Sequence, residues 1–491
     1  MNFIRIVLPI AMVIIGSSAS FSQGIVTRPT KPKTVQNKTT SKKKAQTQQS
    51  LSASEMFERG NAEYEIGNYS EAVKWYRKAA DLGNADAQNN LGEMYDTGKG
   101  VSRDYAEAAR WYLRAAEQGD AVAQYNIGIM YSNGQGVEKD YSEAIKWYQK
   151  AAEQGDTDAQ LQVGYMFFTG QGVKQGYIEA ARWFLKAAEH GDSYAQYNLG
   201  CMYAAGNGVS KDYFEAVRWY RTAAEQGNTN AQLNLGDAYS EGQGVPHDDS
   251  AAFQWYCKAA EHGNFMAQHN LGLMYENGEG IPQDYKEAVA WYQKAAEQGS
   301  AYSQLKLGFL YETGKGVEQD YNEAIKWYQK AAKQEDAEAQ LRLGDVYNKG
   351  KGVSQDYSEA ATWYRKAAEN GNAIAQLNLG NMYFTGNGVS KDYYEAARWY
   401  RKAAEQGNAE AQLYLGVSYE EGQGVTQNYS DAIKWYRKAA EQGNSDAQTN
   451  LGIMYHSGKG VSRDYKEAKK WWEKAAAQGN EFAKENLQNL Y

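Results

Sequence analysis

The sequence predicts an all-α solenoid built from one repeated helix-turn-helix unit, and three observations carry that prediction. Tryptophan recurs every 36 residues from Trp75 and Trp111 through Trp147 to Trp471, with no insertion or deletion along the series. A fixed period of this length marks stacked supersecondary units, each touching only its neighbours. Within every period two stretches carry apolar residues at helical spacing, separated by a glycine-rich joint. Proline is scarce and tyrosine abundant, 5 residues against 40, which suits uninterrupted helices packed with aromatic plugs.

Residues 121–155 show how each element arises. Ala123, Ile127, Met130 and Tyr131 form one apolar stripe and predict a first helix over about 121–132. Gly119 can take the left-handed conformation that ends the preceding helix, and Asp120 can accept from the free amides of the new one. Gly134-Gln135-Gly136-Val137 then turns the chain. Asp140 and Glu143 stand at capping-box spacing and open a second helix, packed through Ala144, Trp147, Tyr148, Ala151 and Ala152. Gly128 lies inside the first helix, where glycine costs roughly 1 kcal/mol relative to alanine. Its recurrence from Gly92 to Gly452 predicts that a neighbouring helix approaches closely there.

The two ends differ from the repeat. Residues 1–22 have the plan of a secretory signal: Arg5, an apolar run from Ile6 to Ile15, and small residues up to Ser22. Ten apolar residues are too few to cross a bilayer, so cleavage and export are expected, to the periplasm or beyond, leaving no transmembrane segment. Residues 23–50 are rich in Lys, Thr and Gln, without an acidic residue, and predict a basic disordered linker. Lys42, Lys43 and Lys44 leave open a contact with anionic envelope polymer. The eight positive charges of residues 1–50, set against a total of −8, leave about −16 on the remainder, which argues against nucleic acid as partner. In residues 51–84 the shorter joint Gly67-Asn68-Tyr69 predicts an N-terminal capping unit. Residues 481–491 predict a C-terminal capping helix, with Ala483 and Leu487 in register and Gln488 in place of the packing glycine. Three copies depart from the pattern, through Gly176, Ala251 and Glu335.

The pattern A-Q-x-x-L-G-x-M-Y-x-x-G-x-G-V-x-x-D-Y-x-E-A-x-x-W-Y-x-K-A-A-E-x-G resembles the Sel-1-like repeat, a relative of the tetratricopeptide repeat. About eleven copies fill residues 85–480, and residues 51–84 look more like a tetratricopeptide unit. The resemblance implies a right-handed α/α superhelical solenoid that binds proteins or peptides, and it leaves the ligand unnamed. Some exported relatives carry a disulfide in each repeat; Cys201 and Cys257 do not follow that pattern and are not expected to pair. Other relatives carry a β-lactam-binding or β-lactamase label. The matching S-x-x-K spacing occurs at Ser41/Lys44 and Ser303/Lys306, without an S-D-N or K-T-G partner, and Ser303 stands where other copies have a buried alanine. The five histidines do not converge, no Cys or His spacing resembles a metal site, and every G-x-G joins two helices. No catalytic residue, metal or cofactor is therefore expected.

Positions equivalent to 86, 90, 93 and 97 share one face of the first helix, which in related solenoids lines the concave groove. Asn198, Asn234, Asn270 and Asn378 recur there and could each donate to and accept from a peptide backbone. Lys306 and Arg342 take two successive rungs of the same ladder, near Tyr194, Tyr302 and Phe309. Aromatic anchors beside a guanidinium are the makings of a hot spot, and Arg342 could grip a carboxylate through two bonds. A competing reading stays open, in which the asparagines bond a neighbouring helix and the two cations pair with acids such as Glu338 or Asp345. The expected function is an exported protein–protein interaction scaffold. Its rivals are a weak β-lactam-binding protein and a structural spacer. Oligomeric state is not determined at this level.

Overall fold

The computed structural model describes residues 51–490, so the signal segment, the basic linker and the Ser41/Lys44 pair lie outside the described residues. Twenty-five α-helices and no strand occupy the described residues. Helices α1 (Ala53–Glu65) and α2 (Tyr69–Asp81) form the first pair. The pair then repeats from α3 (Ala85–Thr97) and α4 (Tyr105–Glu117) to α23 (Ser445–Ser457) and α24 (Tyr465–Ala477). Helix α25 (Glu481–Gln488) closes the chain. The helices fall into two compact units, one ending at His262 and one beginning at Gly263.

In both units the core is a stack of alanines and tyrosines. Each second helix buries an aromatic ring against the glycine of its paired first helix, a tyrosine such as Tyr112 or Tyr328 in most copies and Phe184 or Trp472 in two. A Cβ added at Gly128 would stand 2.7 Å from the Tyr148 ring, which accounts for the glycine that interrupts every first helix. The G-x-G joint divides its work. Gly98, at φ 74°, ends α3 in the left-handed region, while a side chain on Gly100 would meet the Tyr69 carbonyl group at 2.4 Å.

Caps set the helix starts. Asp120 accepts from the Ala123 amide at 2.6 Å, and Asp140 accepts from those of Ser142 and Glu143 at 2.8 and 3.1 Å. The expected capping box at the second helices is only half formed, because Glu143 turns to Lys146 Nζ at 2.5 Å instead of returning to the cap. The reciprocal box closes at α1, between Ser52 and Glu55. Among the irregular copies, Gly176 supplies no side-chain cap, yet the helix Tyr177–Glu189 still forms. The Ala251 copy is capped by Asp248, and Glu335 takes φ 64° where the other copies have glycine. Both cysteines are free thiols, with Cys201 buried.

One connection was not anticipated. Gln124 is buried, and its Nε2 donates to the Ala116 carbonyl at 3.1 Å while its Oε1 accepts from Gln154 at 2.8 Å. The same arrangement recurs at Gln412, bonded to Ala404 and Gln442. Within each unit these amides tie a first helix to the second helices on either side of it.

Candidate functional site

The first-helix face singled out by the ladder is more enclosed than its polarity suggests. Asn198 and Asn270 are buried, and Asn234 and Asn378 are half-buried. Asn234 Nδ2 lies 3.8 Å from Cys201 Sγ, and Asn378 interacts with the Tyr364 hydroxyl. Asn198 and Asn270 are thus enclosed, while Asn234 and Asn378 keep partial exposure and reach the neighbouring helix. The physical cause is the tyrosine of the second helix, whose hydroxyl reaches through to this face and needs partners when buried.

That hydroxyl finds an acid in copy after copy. Tyr256 donates to Asp237 at 2.7 Å, Tyr292 to Glu276 at 2.6 Å, Tyr328 to Glu312 at 2.8 Å, Tyr364 to Asp345 at 2.7 Å and Tyr436 to Glu420 at 2.7 Å. Sequence reasoning missed this bond. Its signal is an acid 16 or 19 residues before the tyrosine.

Lys306 belongs to the same interior. Its Nζ donates to Glu276 Oε2 at 2.9 Å, and its side chain keeps 5% of its exposure. Burial pulls the Lys306 pKa down, with the Glu276 carboxylate acting the other way. His269 Nδ1 stands 2.9 Å from the Ser303 hydroxyl, which in turn donates to Ser300 Oγ at 3.1 Å. Burial, reinforced by the Lys306 charge, pushes the His269 pKa down to about 3 and keeps the imidazole neutral. Ser303 is fully buried, as expected of a residue in a packing position. Among the described residues no group of three or more His, Cys, Asp or Glu could hold a metal ion.

On this face the second unit exposes several apolar side chains. Tyr302 is 56% exposed and Ile374, at the equivalent position two repeats on, 42%. Phe309 is half-buried, and the half-buried Arg342 guanidinium lies 5.8 Å from the centre of its ring. Arg342 also grips Glu338 through Nε at 3.0 Å and Nη2 at 2.9 Å. In the first unit Tyr194 is 56% exposed at the position equivalent to Tyr302. Of the expected set, the structure groups Phe309 with Arg342 and leaves Tyr302 open. Lys306, Asn198 and Asn270 are buried, and Asn234 and Asn378 half-buried.

With this geometry in hand, comparison identifies the repeat. The Sel1 repeat profile matches twelve consecutive segments from 48–84 and 85–120 to 445–480, so the first, shorter-jointed unit is counted among them. A protective antigen present in uropathogenic Escherichia coli strains, which displays an SLR fold, is 40% identical with a TM-score of 0.71. The similarity covers 85% of this chain and 90% of that one. A Sel1 repeat protein from Oxalobacter formigenes is 35% identical with a TM-score of 0.54, over 63% of this chain and 90% of that one. No curated protein matches. Among the described residues no helix is long and apolar enough to cross a membrane. This chain belongs to the Sel1 repeat family, whose members are generally protein-interaction scaffolds.

Proposed function

We propose that this chain is an exported scaffold that engages an extended peptide of a partner protein through its first-helix face, without altering it chemically. The contact set in the second unit is Tyr302, Phe309, Arg342 and Ile374. The observation that carries this reading is the pairing of exposed apolar side chains with a guanidinium stacked 5.8 Å over Phe309. Exposed aromatic surface beside arginine is what protein interfaces bury at their centres. Arg342 already holds Glu338, so an acidic group on the ligand would replace or share that partner. In the second unit Lys306 and Asn270 are buried beneath this face, and in the first unit Asn198 is buried at the equivalent position.

Export is supported by the Arg5, Ile6–Ile15 and Ser22 plan of the N-terminus. The similarity to a protective antigen agrees with it, since an antigen must be reachable by the host. Catalysis at Ser303/Lys306 finds no support, because the hydroxyl is fully buried and already bonded. The test is affinity capture from envelope extract, comparing the full protein with Tyr302→Ala/Arg342→Glu. A partner retained by the wild type and lost by the variant is the expected result. An identical retained set would remove the second unit's face from the interaction. N-terminal sequencing of the exported protein checks the cleavage near Ser22, and an intact Met1 would contradict it.

A further inference from the structure

A second polar constellation lies in the first unit, on α3, α4 and α5 (Ala121–Asn133). Glu93 and Asp96 stand one turn apart on α3, and of the first helices in the 36-residue register only α3 carries an acid at both positions. In five other repeats the tyrosine of the second helix donates to the single acid found there. Here the corresponding hydroxyl, on the fully buried Tyr112, has no hydrogen-bond partner among the described residues. It is near enough to both carboxylates for their charge to add to burial in raising its pKa.

Two further buried oxygens are in the same condition. Glu93 Oε1 and Asn126 Oδ1 lack hydrogen-bond partners among the described residues, with Glu93 9% and Asn126 1% exposed. Asn126 is tied into the cluster through its Nδ2, which donates to Asn89 Oδ1 at 3.3 Å, and Asn89 lies one turn before Glu93. The nearby cations act on the two carboxylates through charge, while their hydrogen bonds go to other groups. Lys99 Nζ donates to the Tyr64 hydroxyl at 3.0 Å, and Arg103 Nη2 reaches the Thr97 carbonyl at 3.4 Å. Neither makes an ion pair with Glu93 or Asp96. Burial raises both carboxyl pKa values, that of Asp96 to about 6, and outweighs the opposing pull of the Lys99 charge and a Tyr64 hydrogen bond on Glu93 and of the Arg103 charge on Asp96.

Buried polar atoms are normally satisfied, and an unmet set of this kind calls for a ligand that supplies donors. The unmet atoms are two acceptor oxygens and a phenol, beside two carboxylates. The complement is a compact cation with several donors and no acceptor, which describes the three N–H groups of an ammonium better than a wide planar guanidinium. We propose that Glu93, Asp96, Tyr112 and Asn126 form a receptor for the ammonium of a lysine side chain presented by a bound protein. Glu93 and Asp96, each 9% exposed, are the outer members of the set, and Tyr112 and Asn126 the fully buried inner ones. This site is separate from the Tyr302–Arg342 surface and stands or falls without it.

The test is fluorescence anisotropy with the full chain and a labelled trilysine peptide, beside the same peptide acetylated on each Nζ. The expected result is binding of the free peptide and at least tenfold weaker binding after acetylation. Glu93→Gln/Asp96→Asn is expected to weaken the free peptide by a similar factor. Glu420→Gln, at an acid already taken by Tyr436, should leave affinity unchanged. Circular dichroism checks the fold, and Asn126→Leu removes one acceptor while keeping both charges, so it decides the matter if the double variant unfolds. Its expected loss is severalfold. Wild-type affinity in the double variant or in Asn126→Leu would overturn the proposal, as would an equal loss in Glu420→Gln. Equal binding of acetylated peptide, or no binding at millimolar peptide, would do the same and leave the cluster to water.

Discussion

Glu335 is an error of backbone chemistry that this array tolerates, and reversing it should stabilise the second unit. The residue ends the helix Tyr321–Ala332 at φ 64°, whereas Gly299 and Gly371 hold the equivalent positions at 99° and 89°. The disturbance shows in the next bond, where the Asp336 amide stands 3.4 Å from the Ala331 carbonyl. The matching distances at Ser300 and Asn372 are 3.1 and 3.0 Å. A non-glycine residue in the left-handed region costs about 1–2 kcal/mol. Replacing it by glycine raises the conformational entropy of the unfolded chain and returns about 0.4–1 kcal/mol of that gain. A carboxylate at a helix C-terminus is itself unfavourable by a few tenths of a kcal/mol. Glu335→Gly should therefore stabilise by about 1 kcal/mol. Gly299→Ala isolates the opposite change, because a Cβ there meets nothing within 4 Å and only the backbone is strained, and it should destabilise by about 1–2 kcal/mol. Long arrays do not unfold in one step, so hydrogen exchange at the Ser300 and Asp336 amides is a better readout than a single melting point. Unchanged or reduced protection of Asp336 in Glu335→Gly, together with a silent Gly299→Ala, would refute the reasoning.

Three other perturbations probe the interior. Gly308→Ala would place a methyl group 2.4 Å from Tyr328 Cε1, and that ring is fully buried and anchored by Glu312. Overpacking of about 1–3 kcal/mol exceeds the roughly 1 kcal/mol gain in helix propensity, so urea denaturation should show a net loss. Lys306→Met removes the cation from the nearly buried Glu276 carboxylate, to which Tyr292 still donates, and should cost about 3 kcal/mol or more. The double change Lys306→Met/Glu276→Leu should cost less than Lys306→Met; a larger, additive loss would contradict a coupled pair. His269, with its pKa pushed down to about 3 against 6.5 for a free imidazole, binds fewer protons folded than unfolded between those values. Its contribution is therefore present above pH 6.5 and lost as pH falls from there toward 3. Hydrogen-exchange protection of the helix Phe265–Asn277, corrected for the intrinsic pH dependence of exchange, should decline across that window in the wild type and decline less in His269→Asn.

Most of the fold could be read from periodicity. The tryptophan spacing set the unit, the apolar stripes set two helices per unit, and Asp120, Gly134 and Asp140 marked their ends within a residue or so, because caps and helical registers are local chemistry. The glycine at Gly128 even announced its close neighbour. The candidate site was legible only in part. A 3.6-residue pattern tells which side chains share a face, and it carries no information about what a residue 30 to 36 positions away lays across that face. That is why the pattern leaves two readings of Lys306 open, and the partner Glu276, 30 residues earlier in the chain, is visible only in the stacked repeats. The Gln124 bridge and the half-open capping boxes depended likewise on partners outside the pattern. Helix identity, length and order were decided by local sequence. Which polar groups are left facing a ligand was decided by stacking, since burial belongs to pairs of repeats and not to any one of them.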